Sequence, residues 1–284
     1  MKIALFFTFC SLALTSLSDF IPKFGGGTIK SKGGYIAIIG LIQTLCFAWL
    51  PMGLGERPGT TFLFCLLSGL LSVVANILLI ESMRYLSASL SSTIYRLNMV
   101  FVFLGAWLFL GESVTPFQWA GMALALISVC IFTEYKKGES SSMGIGLAMV
   151  LFASILRSGM GLVYKHAIER GASANTLCLL AGLCWLGGGP LYSLLKERSL
   201  SWIKDKGTWK YAVAAGILVA GIVYCMAHSL RFGAASILLP IAQMSFVLTF
   251  FLEAVFLHEK ITVRKTIALV GCILAVILLV GGRQ

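Results

Sequence analysis

Two arginines stand apart in this chain of 284 residues because each falls inside a long apolar stretch. Arg96 lies within Leu86–Leu110, and Arg157 within a run that begins at Ser140 and continues to about Tyr164. A guanidinium is permanently charged, and its planar fork matches carboxylate or phosphate oxygens in pairs. Near the centre of a membrane helix it costs about 2.5–3.5 kcal/mol on insertion scales, so it persists where it faces a wet cavity or a partner. At helical spacing Arg96 shares a face with Ser89, Ser92 and Thr93, and Arg157 with Ser154, Gly161 and Tyr164. Two such groups converging on one cavity imply an anionic or zwitterionic ligand. The competing reading is internal neutralisation by Glu253 or Glu81, although a second buried ion pair adds a desolvation cost that an apolar pair avoids.

Other polar residues inside apolar runs extend the candidate set. Gln243 occupies in the second half of the chain the place Arg96 has in the first, and Thr15 corresponds in the same way to Arg157. Asn76 and Tyr224 are further candidates to line a binding cavity, and Tyr224 shares a face with His228 four residues on. Glu253, Glu81, His228 and Asp19 are the groups able to carry a proton. The eight cysteines form no CxxC pair and no His stands at metal-ligand spacing, so neither metal nor cofactor is expected. No GxxxxGK[ST], no HExxH, no paired intramembrane aspartates and no Ser/His pair at useful spacing occur, which speaks against ATP hydrolysis and against enzyme chemistry.

The elements that hold these residues follow from composition. The chain is 58% hydrophobic and 12% charged, against roughly 25% charged in a soluble domain, so its surface must face lipid. The net charge of +11 would suggest a nucleic-acid partner in a soluble protein. Here the basic residues lie between apolar runs, and the bilayer explains them without nucleic acid. Charge-free stretches run from Ile3 to Ser18, Gly33 to Gly55, Pro58 to Ile80, Ser113 to Thr133, Ser140 to Leu156, Gly171 to Leu195, Tyr211 to Leu230, Phe232 to Leu252 and Thr266 to Gly282. With Leu86–Leu110 these predict ten transmembrane helices, since about 20 residues cross the hydrocarbon core and no period-2 alternation suggests a barrel. Met1–Ser18 reads as a retained helix and not a cleaved leader, because Thr8, Ser11, Thr15 and Ser18 or Asp19 fall on one face and give it a wet side.

Ser82–Thr115 aligns without gaps on Ser229–Thr262, with identical pairs that include Ser82/Ser229, Arg84/Arg231, Ala88/Ala235, Ser89/Ser236, Glu112/Glu259 and Thr115/Thr262. The spacing maps spans one to five onto six to ten. An odd number of spans per copy inverts the second relative to the first, which is a device of transporters. Glu112 and Glu259 stand where the fourth and ninth spans end and are expected to bind backbone donors at the start of the next helix, a structural role.

The patterns Leu86-Ser-Ala-Ser-Leu, then Trp107-Leu-Phe-Leu-Gly-Glu112-Ser-Val-Thr-Pro-Phe-Gln-Trp-Ala-Gly121, together with Phe232-Gly-Ala-Ala-Ser and Phe256-Leu-His-Glu259, resemble the EamA-type repeats of the drug/metabolite transporter superfamily. The resemblance implies an all-α polytopic membrane fold with two inverted five-helix repeats, residues 1–135 and 144–284, around a central cavity. It also implies transport of small metabolites. Met99 and Phe246 replace a proline common in the middle of the fourth and ninth helices of the family, His258 stands where the first repeat has Gly111, and Ser11 and Thr15 occupy the mid-first-helix region where small proton-coupled multidrug members carry glutamate.

The expected function is a secondary carrier of a small anionic or zwitterionic metabolite, of amino acid or organic acid type, working by alternating access in the plasma (inner) membrane. Its partners would be that solute and the bilayer, with a homodimer left open. A membrane enzyme acting on lipid-linked phosphate and a non-transporting scaffold are the alternatives. Orientation also stays open at this stage. Fourteen basic residues in odd-numbered loops against six at the termini and in even-numbered loops place the termini outside, whereas the resemblance implies cytoplasmic termini.

Overall fold

The computed structural model describes residues 1–24, 28–86, 88–132, 143–256 and 262–281, and within these the side chains of 22–24, 88, 89, 93, 132, 143 and 253 are not described. The described residues are helical almost throughout: α1 (Lys2–Phe24), α2 (Lys32–Phe47), α3 (Pro58–Ser82), α4 (Ala88–Arg96), α5 (Asn98–Phe109), α6 (Pro116–Phe132), α7 (Met143–Glu169), α8 (Ala174–Tyr192), α9 (Lys206–Phe232), α10 (Ala235–Gln243), α11 (Ser245–Phe256) and α12 (Val263–Gly281). Eight stretches are long and apolar enough to cross a bilayer, counting α4 with α5 and α10 with α11, while α2 and α6 are shorter apolar helices. The protein is therefore an integral membrane protein.

Burial follows the inside-out pattern that lipid imposes. On α12 the residues Val263, Ile267, Val270, Ile273, Leu274 and Ile277 are exposed at helical spacing, whereas Ala268, Leu269, Cys272, Ala275 and Leu279 are buried. Small residues take the inner face and large apolar ones the outer, because close backbone approach, and not hydrophobicity, binds helices together in hydrocarbon.

Three of the expected spans differ in the structure. The second was expected to reach Gly55, but α2 stops at Phe47. Pro51 cannot continue a helix and restricts the residue before it. The chain there turns to α8 instead: Gly53 N donates to the Ser173 and Thr176 hydroxyls at 3.1 and 3.0 Å, and Leu54 forms an isolated antiparallel bridge with Ala172. The fourth and ninth spans, expected to be continuous, are each interrupted by one residue, Leu97 and Met244. At both points the hydrogen bonding tightens from i−4 to i−3: Leu97 N donates to Ile94 O and Met244 N to Ile241 O, each at 3.0 Å. Leu97 and Met244 are partners in the gap-free alignment, so both halves of the chain kink at the same place.

The helices divide into two compact units, residues 1–73 with 163–233 and residues 74–162 with 234–284, the division falling within α3 and α7. In the first unit α1 packs on α9, and α2 packs on both α8 and α9. The α2–α8 contact is antiparallel and built on glycine. A Cβ at Gly40 would strike the backbone of Leu186, one at Gly189 the backbone of Ala37, and one at Gly182 would lie 2.8 Å from Thr44 N. In the second unit α6 and α12 pack antiparallel in the same manner, with Gly121 against Ala275–Leu279 and Gly271 against Ser128, and α5 packs on α10. Gln118 Nε2 donates to Leu279 O at 3.5 Å at one end of the α6–α12 pair and Arg264 Nε to Ile131 O at 2.5 Å at the other.

The glycine seam generates a test. Gly40→Ala forces α2 and α8 apart and is expected to cost about 1–3 kcal/mol, the usual range for overpacking. Gly59→Ala, where an added Cβ meets nothing within 4 Å, is expected to be neutral. Thermal unfolding of the two purified variants in detergent checks this, and equal midpoints would remove the seam as a determinant of stability.

Candidate functional site

The second unit carries both arginines, and their surroundings are set by the two kinks. Arg96 is the last residue of α4. Its half-buried side chain reaches the end of α10, where Nη1 donates to the backbone carbonyl of Gln243 at 2.9 Å and the guanidinium lies 4.9 Å from the centroid of the Phe246 ring. Gln243 ends α10, and the tightened turn at Met244 leaves its carbonyl free to accept. A cation there meets the negative end of the helix dipole and an acceptor that hydrocarbon cannot satisfy. The sequence counterparts Arg96 and Gln243 are thus in contact, through the main chain of Gln243.

The carbonyls at the end of α4 have other partners, beside the Leu97 N–H that Ile94 O accepts. Asn98, 1% exposed, donates its amide to Tyr95 O at 2.7 Å. The buried Ser154 hydroxyl on α7 lies 3.2 Å from Ile94 O and 3.0 Å from Tyr95 O, able to give its proton to either. Tyr95 adjoins Arg96, and Ser154 precedes Arg157 by one turn. This hydrogen bond therefore ties the helices of the two arginines together within a turn of both.

Arg157 has a different environment. Along α7 the large exposed residues are Ile145, Leu151, Phe152 and Ile155, which form the lipid face. Ala153, Ser154 and Tyr164 are buried on the opposite side, and Arg157 sits on that side at helical spacing from them. It is nevertheless only half-buried. Its Nη1 approaches the Met160 sulfur at 3.4 Å, a weak acceptor, and among the described residues no carboxylate pairs with it. Among the described residues this inward, partly accessible guanidinium thus meets a thioether and no carboxylate, and most of its donors have no protein acceptor there.

The remaining candidates divide between the units. In the second, Glu81 is buried at the end of α3 and makes an ion pair with Arg84 at 3.3 Å, and Asn76 is half-buried one to two turns earlier. Glu253 lies on α11 with its side chain outside the described set, and Glu259 and His258 lie outside the described residues. In the first unit, Thr15 donates to its own-helix carbonyl at Ser11 (2.7 Å), and Asp19 is exposed near the end of α1. Tyr224 stacks between Phe47 and His228, with centroids 5.9 and 4.3 Å away, and His228 Nδ1 bonds to Tyr224 O at 3.1 Å. The expected wet side of the first helix is corrected over Thr8 and Ser11. Both are buried against α9, Thr8 bonded to the Ser229 hydroxyl and Ser11 to Ile222 O, so this stripe is a seam between helices.

Sequence reasoning missed the residues that close helix ends. Glu112 does not cap the next helix. Its carboxylate accepts from Ala235 N at 2.7 Å, Ser236 N at 2.9 Å and the Ser236 hydroxyl at 2.5 Å, capping α10 in the other half of the chain. The signal was available, because Glu112 and the Ala-Ser pair it binds are all retained in the alignment. Lys165 on α7 donates to Leu230 O and Gly233 O at 2.8 and 3.0 Å, closing the end of α9. No group of three metal-ligating side chains occurs among the described residues.

Comparison with known proteins adds a family to this geometry. The model of the EamA-like transporter family matches residues 2–133 and again residues 144–281. No curated protein matches. A solved structure titled only as the crystal structure of a protein is similar, with a TM-score of 0.79 at 15% identity, covering 98% of this chain and 96% of that one. At that identity the likeness speaks for the fold.

The Glu112 cap predicts a stability effect. Glu112→Gln keeps one acceptor oxygen, loses the charge, and is expected to lower stability by about 1–3 kcal/mol, the range for hydrogen bonds to a charged group. The exposed Glu56→Gln is the control and is expected to unfold as wild type does. Identical thermal midpoints for both variants would show that the cap contributes nothing.

Proposed function

This chain belongs to the EamA-like transporter family of the drug/metabolite transporter superfamily, and from that premise we propose that it is a secondary carrier of a small anionic or zwitterionic metabolite. The observation that carries the reading is Arg157: a half-buried guanidinium opposite the lipid face of α7, with no carboxylate partner among the described residues. Holding such a charge in a membrane helix costs a few kcal/mol. A site whose counter-charge arrives with the substrate offsets that cost, and it disfavours cationic solutes by repulsion.

Arg96 has the supporting role. Its contact with Gln243 O fixes the end of α10 close to the helix that bears Arg157, through the Ser154 bond to Tyr95 and Ile94. The family model matching two successive stretches supports two copies of a five-helix unit, residues 1–135 and 144–284, giving ten transmembrane helices in inverted repeat. Alternating access follows from exchange of the two copies' conformations. Residence in the plasma (inner) membrane, no catalytic role and no nucleic-acid partner complete the proposal, with Gln243, Thr15, Asn76 and Tyr224 as further lining candidates.

Counterflow in proteoliposomes with pooled radiolabelled organic acids and amino acids tests it. Wild type is expected to show saturable exchange, Arg157→Gln to reduce it at least tenfold while still inserting, and Arg157→Lys to keep part, since lysine retains the charge without the fork. Arg96→Gln is expected to act first on thermal stability. Exchange by Arg157→Gln at the wild-type rate overturns the assignment, and conversion of a lipid-linked phosphate to product would identify an enzyme instead.

A further inference from the structure

The first unit contains a cavity of about 230 Å³ where the end of α9 meets the start of α8. Its polar lining comes from Ser173 and Asn175 at the start of α8 and from Tyr224, His228 and Arg231 on α9, with no Asp or Glu among the lining residues. The nearby Glu169 is engaged with Lys165 at 3.4 Å. His228 spends Nδ1 on the Tyr224 carbonyl, which leaves Nε2 as its remaining nitrogen. The cavity also reaches the first turn of the 19-residue α8, the positive end of that helix.

The gap-free alignment of the two halves shows what is missing from this cavity. Arg231 corresponds to Arg84, and at the same offset, one residue before the first aligned pair, His228 stands opposite Glu81. In the first half Arg84 finds its counter-ion three residues back, in an ion pair with Glu81 at 3.3 Å. In the second half the carboxylate is replaced by an imidazole, and the guanidinium has no ion pair among the described residues, only the Phe232 ring 6.0 Å away. One helix end has thus been built twice, once with an internal anion and once with an open volume lined by a guanidinium, an imidazole and an amide.

We propose that this cavity is an anion site that takes a carboxylate or phosphate group, with Arg231 as counter-ion and with the His228 and Asn175 side chains as lateral contacts. The ligand's oxygens stand in for the carboxylate that Glu81 supplies in the first half. A guanidinium binds such groups through two parallel hydrogen bonds, and the adjacent helix N-terminus adds to the attraction. The anion comes either from a water-soluble solute or from a lipid headgroup at the membrane surface. The proposal rests on the first unit alone and does not depend on the role given to Arg157.

Thermal unfolding in nanodiscs distinguishes the sources. The proteins are wild type, Arg231→Gln, His228→Glu and Arg84→Gln, each checked for helix content and monodispersity. In phosphatidylcholine discs, sodium phosphate or sodium citrate titrated at constant ionic strength is expected to raise the wild-type midpoint by at least about 2 °C. Arg84→Gln is expected to respond equally. Arg231→Gln, which removes the counter-ion, and His228→Glu, which installs the internal carboxylate of the first half, are each expected to abolish the response. If the anion is a headgroup, replacing phosphatidylcholine by phosphatidylglycerol produces that same pattern and soluble anions add nothing. A wild type that responds to neither, or a response shared by all four proteins, overturns the proposal. If one variant fails to fold, the other alone decides it.

Discussion

A helix that ends inside a membrane protein leaves its first N–H groups and last C=O groups without intrahelical partners, and hydrocarbon offers no water to replace them. Much of this structure answers that constraint. Acidic side chains sit at helix starts: Glu112 on Ala235 and Ser236, Glu197 on Lys32 and Gly33, Asp205 on Gly207 and Thr208. Basic side chains sit at helix ends: Arg96 on Gln243, Lys165 on Leu230 and Gly233, Arg264 on Ile131. In every case the sign opposes the local end of the helix dipole. Asp205 shows the energetic consequence outside the membrane, where the Thr208 hydroxyl, more than the backbone N–H groups, holds its carboxyl below the usual range.

That pattern separates two residues that are equivalent by composition. Arg96 and Arg157 are both guanidinium groups inside apolar runs, and the insertion cost is of the same order for each. Arg96 offsets it with a carbonyl that the kink at Met244 sets free, together with the face of Phe246. Among the described residues Arg157 has the Met160 sulfur in its place. Arg96 thus has a structural account in the protein's own backbone, and it is the absence of such an account for Arg157 among the described residues on which the proposed ligand role rests.

The class of fold was legible because lipid acts on composition: long charge-free runs with few ionisable residues follow from one solvent property. The internal likeness of the two stretches was legible too, and the family model matches both of them, residues 2–133 and 144–281; Glu112, Ala235 and Ser236, retained in that likeness, meet in space. The kinks at Leu97 and Met244 were not legible. Neither is a proline or a glycine, and besides the local Asn98 at the first and Pro240 one turn before the second, the contacts made there come from far away in sequence, Ser154 at the first and Arg96 at the second. The early end of α2 had a local signal in Pro51, but a charge-free run to Gly55 hid it from a reading based on length. The polar stripe of α1 misled in the opposite sense, because Thr8 and Ser11 have the right spacing for a wet face and also for a seam with α9, and periodicity cannot distinguish the two.

Comparison of the two halves sorts the polar residues by what holds them. Glu112 matches Glu259 in identity, and the Ala-Ser pair that Glu112 caps is present twice, as expected where the demand comes from the backbone, which is the same in both copies. Other positions differ: Arg96 stands opposite Gln243 within the aligned segment, and Glu81 opposite His228 at the same offset one residue before it, while Thr15 is the residue expected opposite Arg157. The first of these differences is explained by a contact in which one member serves the other. The other two leave a guanidinium with no ion pair among the described residues in one copy, Arg157 on α7 and Arg231 on α9, each with some accessible surface. A backbone requirement met in both copies keeps its residues alike, and the positions that have diverged answer to something the two copies do not share.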